Sequence, residues 1–243
     1  GGAHVIQLIR SLPVLAAAAA LAGCVGSGEK IVERRAVAAF DGLEISGSAD
    51  VRVVHGEPAA VRVTGDDNLV PRTETAVIDG TLHIRSPRPA VQDLPLVVEI
   101  VSPELRRIGV SLAGDVEIDL AGAPLEALGI DLDGAGRLVI HDLRAGALDI
   151  TVDGAGNLTA SGRVEHLRFD LDGVGAAKLG ELCARTAEVS VSGAGKVTVI
   201  AAERVEADLS GAAVLRYAAP HTLPEPDGPS RVERTGDGSL CAD

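Results

Sequence analysis

Residues 127–211 repeat one short phrase five times: LGIDLDGAG (128–136), LDITVDGAG (148–156), LRFDLDGVG (167–175), AEVSVSGAG (187–195) and VEADLSGAA (205–213). The leading glycines are Gly134, Gly154, Gly173, Gly193 and Gly211, so the steps are 20, 19, 20 and 18 residues. A period this regular is the signature of a stacked repeat array, and it decides the fold class before any local motif is weighed. Within each copy apolar and polar residues alternate, which predicts a strand with one buried face. The inward positions align from copy to copy. The first row is Leu128, Leu148, Leu167, Ala187 and Val205; the second is Ile130, Ile150, Phe169, Val189 and Ala207; the third is Leu132, Val152, Leu171, Val191 and Leu209.

A second short strand follows each glycine corner, with inward rows Leu138, Leu158, Ala177, Val197, Leu215 and Ile140, Ala160, Leu179, Val199, Tyr217. Two strands per repeat, each aligned with its counterpart one repeat on, predict an all-β, parallel β-helical solenoid with coils of about 20 residues. The glycines suit corners that need positive φ or close backbone approach. The chain has no Trp or Met, one Tyr and two Phe, so a core must be built from aliphatic rows.

The outward rows carry the charge. Beside the first strand they read Gly129, Asp149, Arg168, Glu188, Glu206, then Asp131, Thr151, Asp170, Ser190, Asp208, then Asp133, Asp153, Asp172, Ser192, Ser210. Beside the second strand stand Arg137, Lys178, Lys196 and Arg216, with no acid expected after Glu117. Two faces of opposite sign are therefore predicted. The net charge of −13 over 243 residues argues against nucleic acid as a partner, because phosphate binding needs a basic footprint.

Outside the array the chain divides by composition. Residues 1–23 hold Arg10 and an apolar, alanine-rich run from Leu12 to Ala22, which reads as a secretory signal too short to span a bilayer as a helix. The tetrad Leu21-Ala22-Gly23-Cys24 resembles the lipobox of bacterial lipoproteins. That resemblance implies cleavage before Cys24, lipid attachment to its sulfur and membrane anchorage. Val25 follows the cysteine in place of the aspartate associated with inner-membrane retention, which under the lipoprotein sorting rule favours the outer membrane. Residues 24–35 are polar, with two early glycines, and read as a tether; 36–218 are expected to form the folded domain, with the regular array from about residue 96. Residues 219–243 form a Pro-rich tail, with a degenerate last repeat at Arg234–Gly238 and an end cap whose residues the pattern does not name.

FDGLEISGSADVRV (40–53), GDDNLV (65–70) with ETAVIDGTLHI (74–84), LVVEIVSPELRRIGVSLAGDVEI (96–118) and the serial Gly-Ala-Gly corners resemble the putative auto-transporter adhesin, head GIN domain family. The resemblance spans roughly 36–218. It implies a right-handed β-helical fold on a secreted or lipid-anchored bacterial protein, and it brings no catalytic residues with it.

Candidate chemistry is sparse. Cys183 and Cys241 are candidates for a disulfide if the protein lies outside the cytoplasm. Asp131, Asp133, Asp153, Asp170, Asp172 and Asp208 offer carboxylates to Ca²⁺. A solvated face is the weightier reading, since the calcium repeats of other β-rolls have a nine-residue period. The histidines at 4, 55, 83, 141, 166 and 221 are scattered, and no Cys/His spacing fits zinc. Three readings follow: an envelope adhesion or binding module with no catalytic role, a structural or assembly lipoprotein, and a calcium-dependent polysaccharide lyase-like enzyme. The first is preferred. Its partner is an envelope or extracellular protein or polysaccharide, besides the membrane itself.

Overall fold

The computed structural model describes residues 25–88 and 93–241. The fold is all-β, 70% strand, with no α-helix among the described residues. One 14-stranded sheet curls strongly, in the manner of a half-barrel, around a single continuous aliphatic core from Phe40 to Ala219.

The repeat array sets the frame. In chain order the sheet opens with β1 (Lys30–Ala36), β2 (Gly42–Gly47), β3 (Asp50–His55), β4 (Ala60–Asp66), β5 (Glu74–Ile78), β6 (Thr81–Arg85) and β7 (Val97–Ser102). It continues through β8 (Arg107–Leu112), β9 (Asp115–Asp119), β10 (Pro124–Gly134), β11 (Arg137–Gly154), β12 (Asn157–Gly211), β13 (Val214–Ala218) and β14 (Arg231–Gly236). β10, β11 and β12 pair in parallel, repeat on repeat: Leu128 opposes Leu148, which opposes Leu167, and Gly134 opposes Gly154, which opposes Gly173. The aligned rows of the sequence are thus hydrogen-bonded neighbours. Every inward position named above is buried except Ala207 and Leu209, which pack partly buried at the last coil.

The 55 residues of β12 cannot run straight, because its glycines stack on one another. A Cβ on Gly193 would lie 2.2 Å from the Gly173 carbonyl oxygen, and one on Gly211 would lie 2.3 Å from that of Gly193. Each of these corners also holds positive φ, +138° at Gly193 and +137° at Gly173. Side-chain-free residues are required on both counts.

Three features depart from the sequence reading. The first is a third buried stretch in each repeat, between the two expected strands and the next copy: Leu143 and Ala145, then Val164, then Leu182 and Ala184, then Ala201. Ala145 opposes Val164 in the ladder. These residues were too short a run, interrupted by charges, to show alternation. The second is the order of the strands in the sheet. β2 and β3 lie against β8 and β9 on one side and against β6 and β7 on the other. The chain therefore lays down β2 and β3, turns back to build the part of the sheet beyond them with β4–β7, and crosses over to resume at β8. The array begins near Gly42 and not at residue 96.

The third concerns the ends. Lys30–Arg35, expected in the tether, instead form most of β1, which closes the sheet antiparallel to β4. The residues before it are also docked. Asp66 is fully buried and its carboxylate accepts bonds from the Gly28 and Leu94 amides at 2.8 and 3.3 Å. Asn68 donates to the Val25 carbonyl at 2.9 Å. A Cβ on Gly26 would lie 2.2 Å from Asp66 Oδ2, so that glycine serves close approach rather than flexibility. At the other end, Arg231–Gly236 add a parallel rung on β13. The Pro-rich loop before it supplies the cap: Leu223 packs on the core and its amide donates to the buried Tyr217 hydroxyl at 2.8 Å. His221 Nε2 meets the Val205 carbonyl at 2.8 Å.

Candidate interaction faces

On the first face the ladder puts the predicted outward columns side by side. Asp133 opposes Asp153, which opposes Asp172; Asp131 opposes Thr151, which opposes Asp170; Gly129 opposes Asp149, which opposes Arg168. The column of glycine and charges leaves room for cross-coil ion pairs. Arg107, one coil back, reaches Asp131 at 2.9 Å. Arg168 bonds Asp170 at 3.0 Å and approaches Glu188 at 3.9 Å. The hydrogen bond and charge of Asp170 push the Arg168 guanidinium above its ordinary value, with Glu188 and Asp149 adding to them. A shallow hollow of about 380 Å³ lies among Arg168, Asp170, Glu188, Ser190, Glu206 and Asp208. The aspartates named as calcium candidates are dealt out along the ladder, and among the described residues no group of three or more His, Cys, Asp or Glu side chains converges into a metal site.

On the second face the sign changes along the array. Near its start Glu117 is held by Arg52 at 2.7 Å and faces His141 at 3.5 Å. Towards its end stands a shallow depression of about 390 Å³, lined by Thr159, Ala176, Lys178, Lys196, Thr198 and Arg216 among others. The expectation of no acid after Glu117 fails: Glu181 lines the edge of the depression, and the added rung β14 brings Glu233 against Arg216 at 2.7 Å. That rung was invisible as an outward row because twelve loop residues separate it from β13. The Arg216 hydrogen bond and charge hold the Glu233 carboxyl below its ordinary value, and Lys196 and Arg231 lower it further.

The third face is neutralised by a ladder of its own, with Arg185 between Glu203 at 2.8 Å and Glu165 at 3.6 Å. Here Cys183 and Cys241 are joined as a disulfide, with Cα atoms 5.1 Å apart, beside Ile200 and Ala218. The remaining histidines are dispersed: His166 contacts Thr186 at 2.9 Å, His83 lies exposed on β6 and His55 ends β3. Cys24, the candidate lipid attachment site, lies outside the described residues together with residues 1–23 and His4. No helix among the described residues is long and apolar enough to cross a membrane.

No curated protein matches the chain. Solved structures do. A putative adhesin from Bacteroides fragilis NCTC 9343 superposes with a TM-score of 0.76 at 24% identity, covering 88% of this chain and 97% of that one. A putative adhesin from Parabacteroides merdae ATCC 43184 gives 0.69 at 17% identity, covering 87% and 98%. A putative lipid binding protein from Parabacteroides distasonis ATCC 8503 gives 0.58 at 20% identity, covering 88% and 96%. These likenesses establish the fold. The family model described as "Putative auto-transporter adhesin, head GIN domain" matches residues 39–219, and the chain belongs to that family.

Proposed function

We propose that the protein is a non-catalytic binding module of the cell envelope, held to the membrane through a lipid on Cys24, with its coils closing into a right-handed parallel β-helix. The observation that carries the reading is an acidic face beside a second face that turns basic towards the end of the array. Ladder register stacks like positions from coil to coil, so each face presents a periodic array on a rigid scaffold. Such an array suits an extended partner better than a compact substrate. The GIN family match and the putative adhesin among the fold's neighbours support it. The third buried stretch, Leu143 to Ala201, supports closure of each coil, since it supplies apolar residues for the side that a two-stranded coil would leave open. Docking of Val25–Gly28 against Asp66 and Asn68 means that a lipid on the preceding residue would hold the β1–β4 end against the bilayer.

The test is fractionation and display in the native host. Wild-type protein should be recovered with outer membranes, and Cys24→Ala should move it to the soluble fraction. Protease added to intact cells should degrade a surface-displayed module, and a deletion strain should adhere less. A wild-type protein that is soluble and whose loss leaves adhesion unchanged would overturn the reading.

A further inference from the structure

The depression on the second face is a local reversal of charge on a molecule of net charge −13. Its floor is made of small residues, Ala176 and Gly180, with the threonines Thr159 and Thr198 beside them. Its rim carries Lys178, Lys196 and Arg216, and Arg231 follows one rung on, opposite Val214. Neither lysine makes a contact ion pair among the described residues, whereas Arg107, Arg168, Arg185 and Arg216 do. Glu181 at one edge and Glu233 beneath Arg216 are the acids facing it.

The arrangement has direction. Thr198 opposes Arg216 in the ladder, and Lys178 lies one 20-residue repeat before Thr198. Lys178 and Arg216 therefore bracket a threonine along one column, roughly 9–10 Å apart at the usual strand spacing. Lys196 stands in the neighbouring column, opposite Val214. A slender polyanion laid along the stacking direction would meet a cation, a hydroxyl and a cation in turn.

Resting on the reading of the protein as a binding module, we propose that this depression binds a linear acidic polysaccharide through its carboxylates. Charge complementarity selects the anion, and the two threonine hydroxyls suit a hydroxyl-rich backbone. The charges replace the aromatic platform that neutral sugars need and that this chain, with one buried Tyr and two Phe, does not offer here. The acidic face of a second copy fits less well. Its columns place acids on successive coils, and Arg107 and Arg168 already engage Asp131 and Asp170 there. A lipid surface is also disfavoured, because none of the exposed large apolar residues lines the depression.

The experiment uses the full chain and polygalacturonate, with dextran as the neutral probe, in a calorimetric or surface-binding assay. Wild-type protein should bind polygalacturonate and not dextran, and binding should weaken about tenfold or more as NaCl rises from roughly 0.05 to 0.3 M. Lys178→Glu with Lys196→Glu should reduce affinity at least about tenfold while the thermal transition stays within a few degrees, as expected of surface positions. Lys178→Arg with Lys196→Arg should retain binding. No wild-type binding, or binding unchanged in the Glu variants, overturns the assignment. So does self-association of the wild type that the Glu variants abolish without any glycan binding, which would point to a second copy. If Cys24→Ala still releases the protein and the deletion strain still loses adhesion, only the ligand assignment falls and the binding-module reading stands.

Discussion

A single Cβ separates the two kinds of glycine in this chain. At Gly193 the φ of +138° lies where side chains are strained, and an added Cβ would meet the Gly173 carbonyl at 2.2 Å. Backbone on both sides fixes that contact, so the coils would have to move apart. Gly193→Ala should therefore cost about 2–4 kcal/mol. At Gly180 the φ is ordinary and the nearest atom is the Thr198 methyl at 3.3 Å. Gly180→Ala should stay within about 0.5 kcal/mol of wild type. Urea unfolding of the two variants reads the difference, and equal midpoints would contradict the stacked-corner account. The corner glycines were legible in sequence because they recur at the coil period. Gly26 was not: with no period behind it, its closeness to Asp66 reads as flexible linker, and only the buried carboxylate shows otherwise.

At the scale of elements the C-terminal rung is the informative one. β14 is held by the Glu233–Arg216 pair and followed by Asp237, whose carboxyl accepts the Ser239 amide at 3.0 Å. Ser239 and Arg216 respectively hold the Asp237 and Glu233 carboxyls below their ordinary values. A depressed folded-state value stabilises above the unfolded carboxylate range, near 4, and that contribution is lost as pH falls through the folded value. Acidification below about pH 4 should thus loosen β14 before the central coils, seen as early loss of amide protection at Arg231–Gly236. Uniform loss along the array would contradict it. The disulfide opposes this fraying. It closes a separation of 58 residues, for which chain entropy gives about 4 kcal/mol. Cys241→Ser should lower stability by up to that amount, and urea unfolding with and without reductant measures it. The sequence offered the two cysteines and a degenerate repeat. It could not show that Leu223 is the end cap, because a lone leucine among prolines carries no period.

For the molecule as a whole, periodicity told which residues stack but not which coils adjoin. The Ile45–Val110 and Ile45–Ile84 pairings that place β2 between β8 and β6 use the same alternating aliphatic pattern as every other rung. Nothing local distinguishes one neighbour from another. The same degeneracy leaves the acidic face ambiguous in sequence, and a charge measurement separates its two readings. Asp153 is flanked through the ladder by Asp133 and Asp172. Like charges one strand spacing apart in water repel by about 0.8 kcal/mol per pair before screening. The net charge of −13 adds to the burden. If the column is simply solvated, Asp153→Asn should raise stability by about 0.5–1 kcal/mol at low ionic strength, and the gain should shrink towards zero near 1 M NaCl, where the Debye length is about 3 Å. Millimolar Ca²⁺ should act on wild type only as that much added ionic strength does. If the column instead gathers calcium, the signs invert: Ca²⁺ would raise the wild-type melting temperature well beyond what NaCl of equal ionic strength achieves, and Asp153→Asn would lose that rise. Melting curves of the two proteins across NaCl and CaCl₂ decide between them, and the one-per-coil spacing of the carboxylates favours the first outcome.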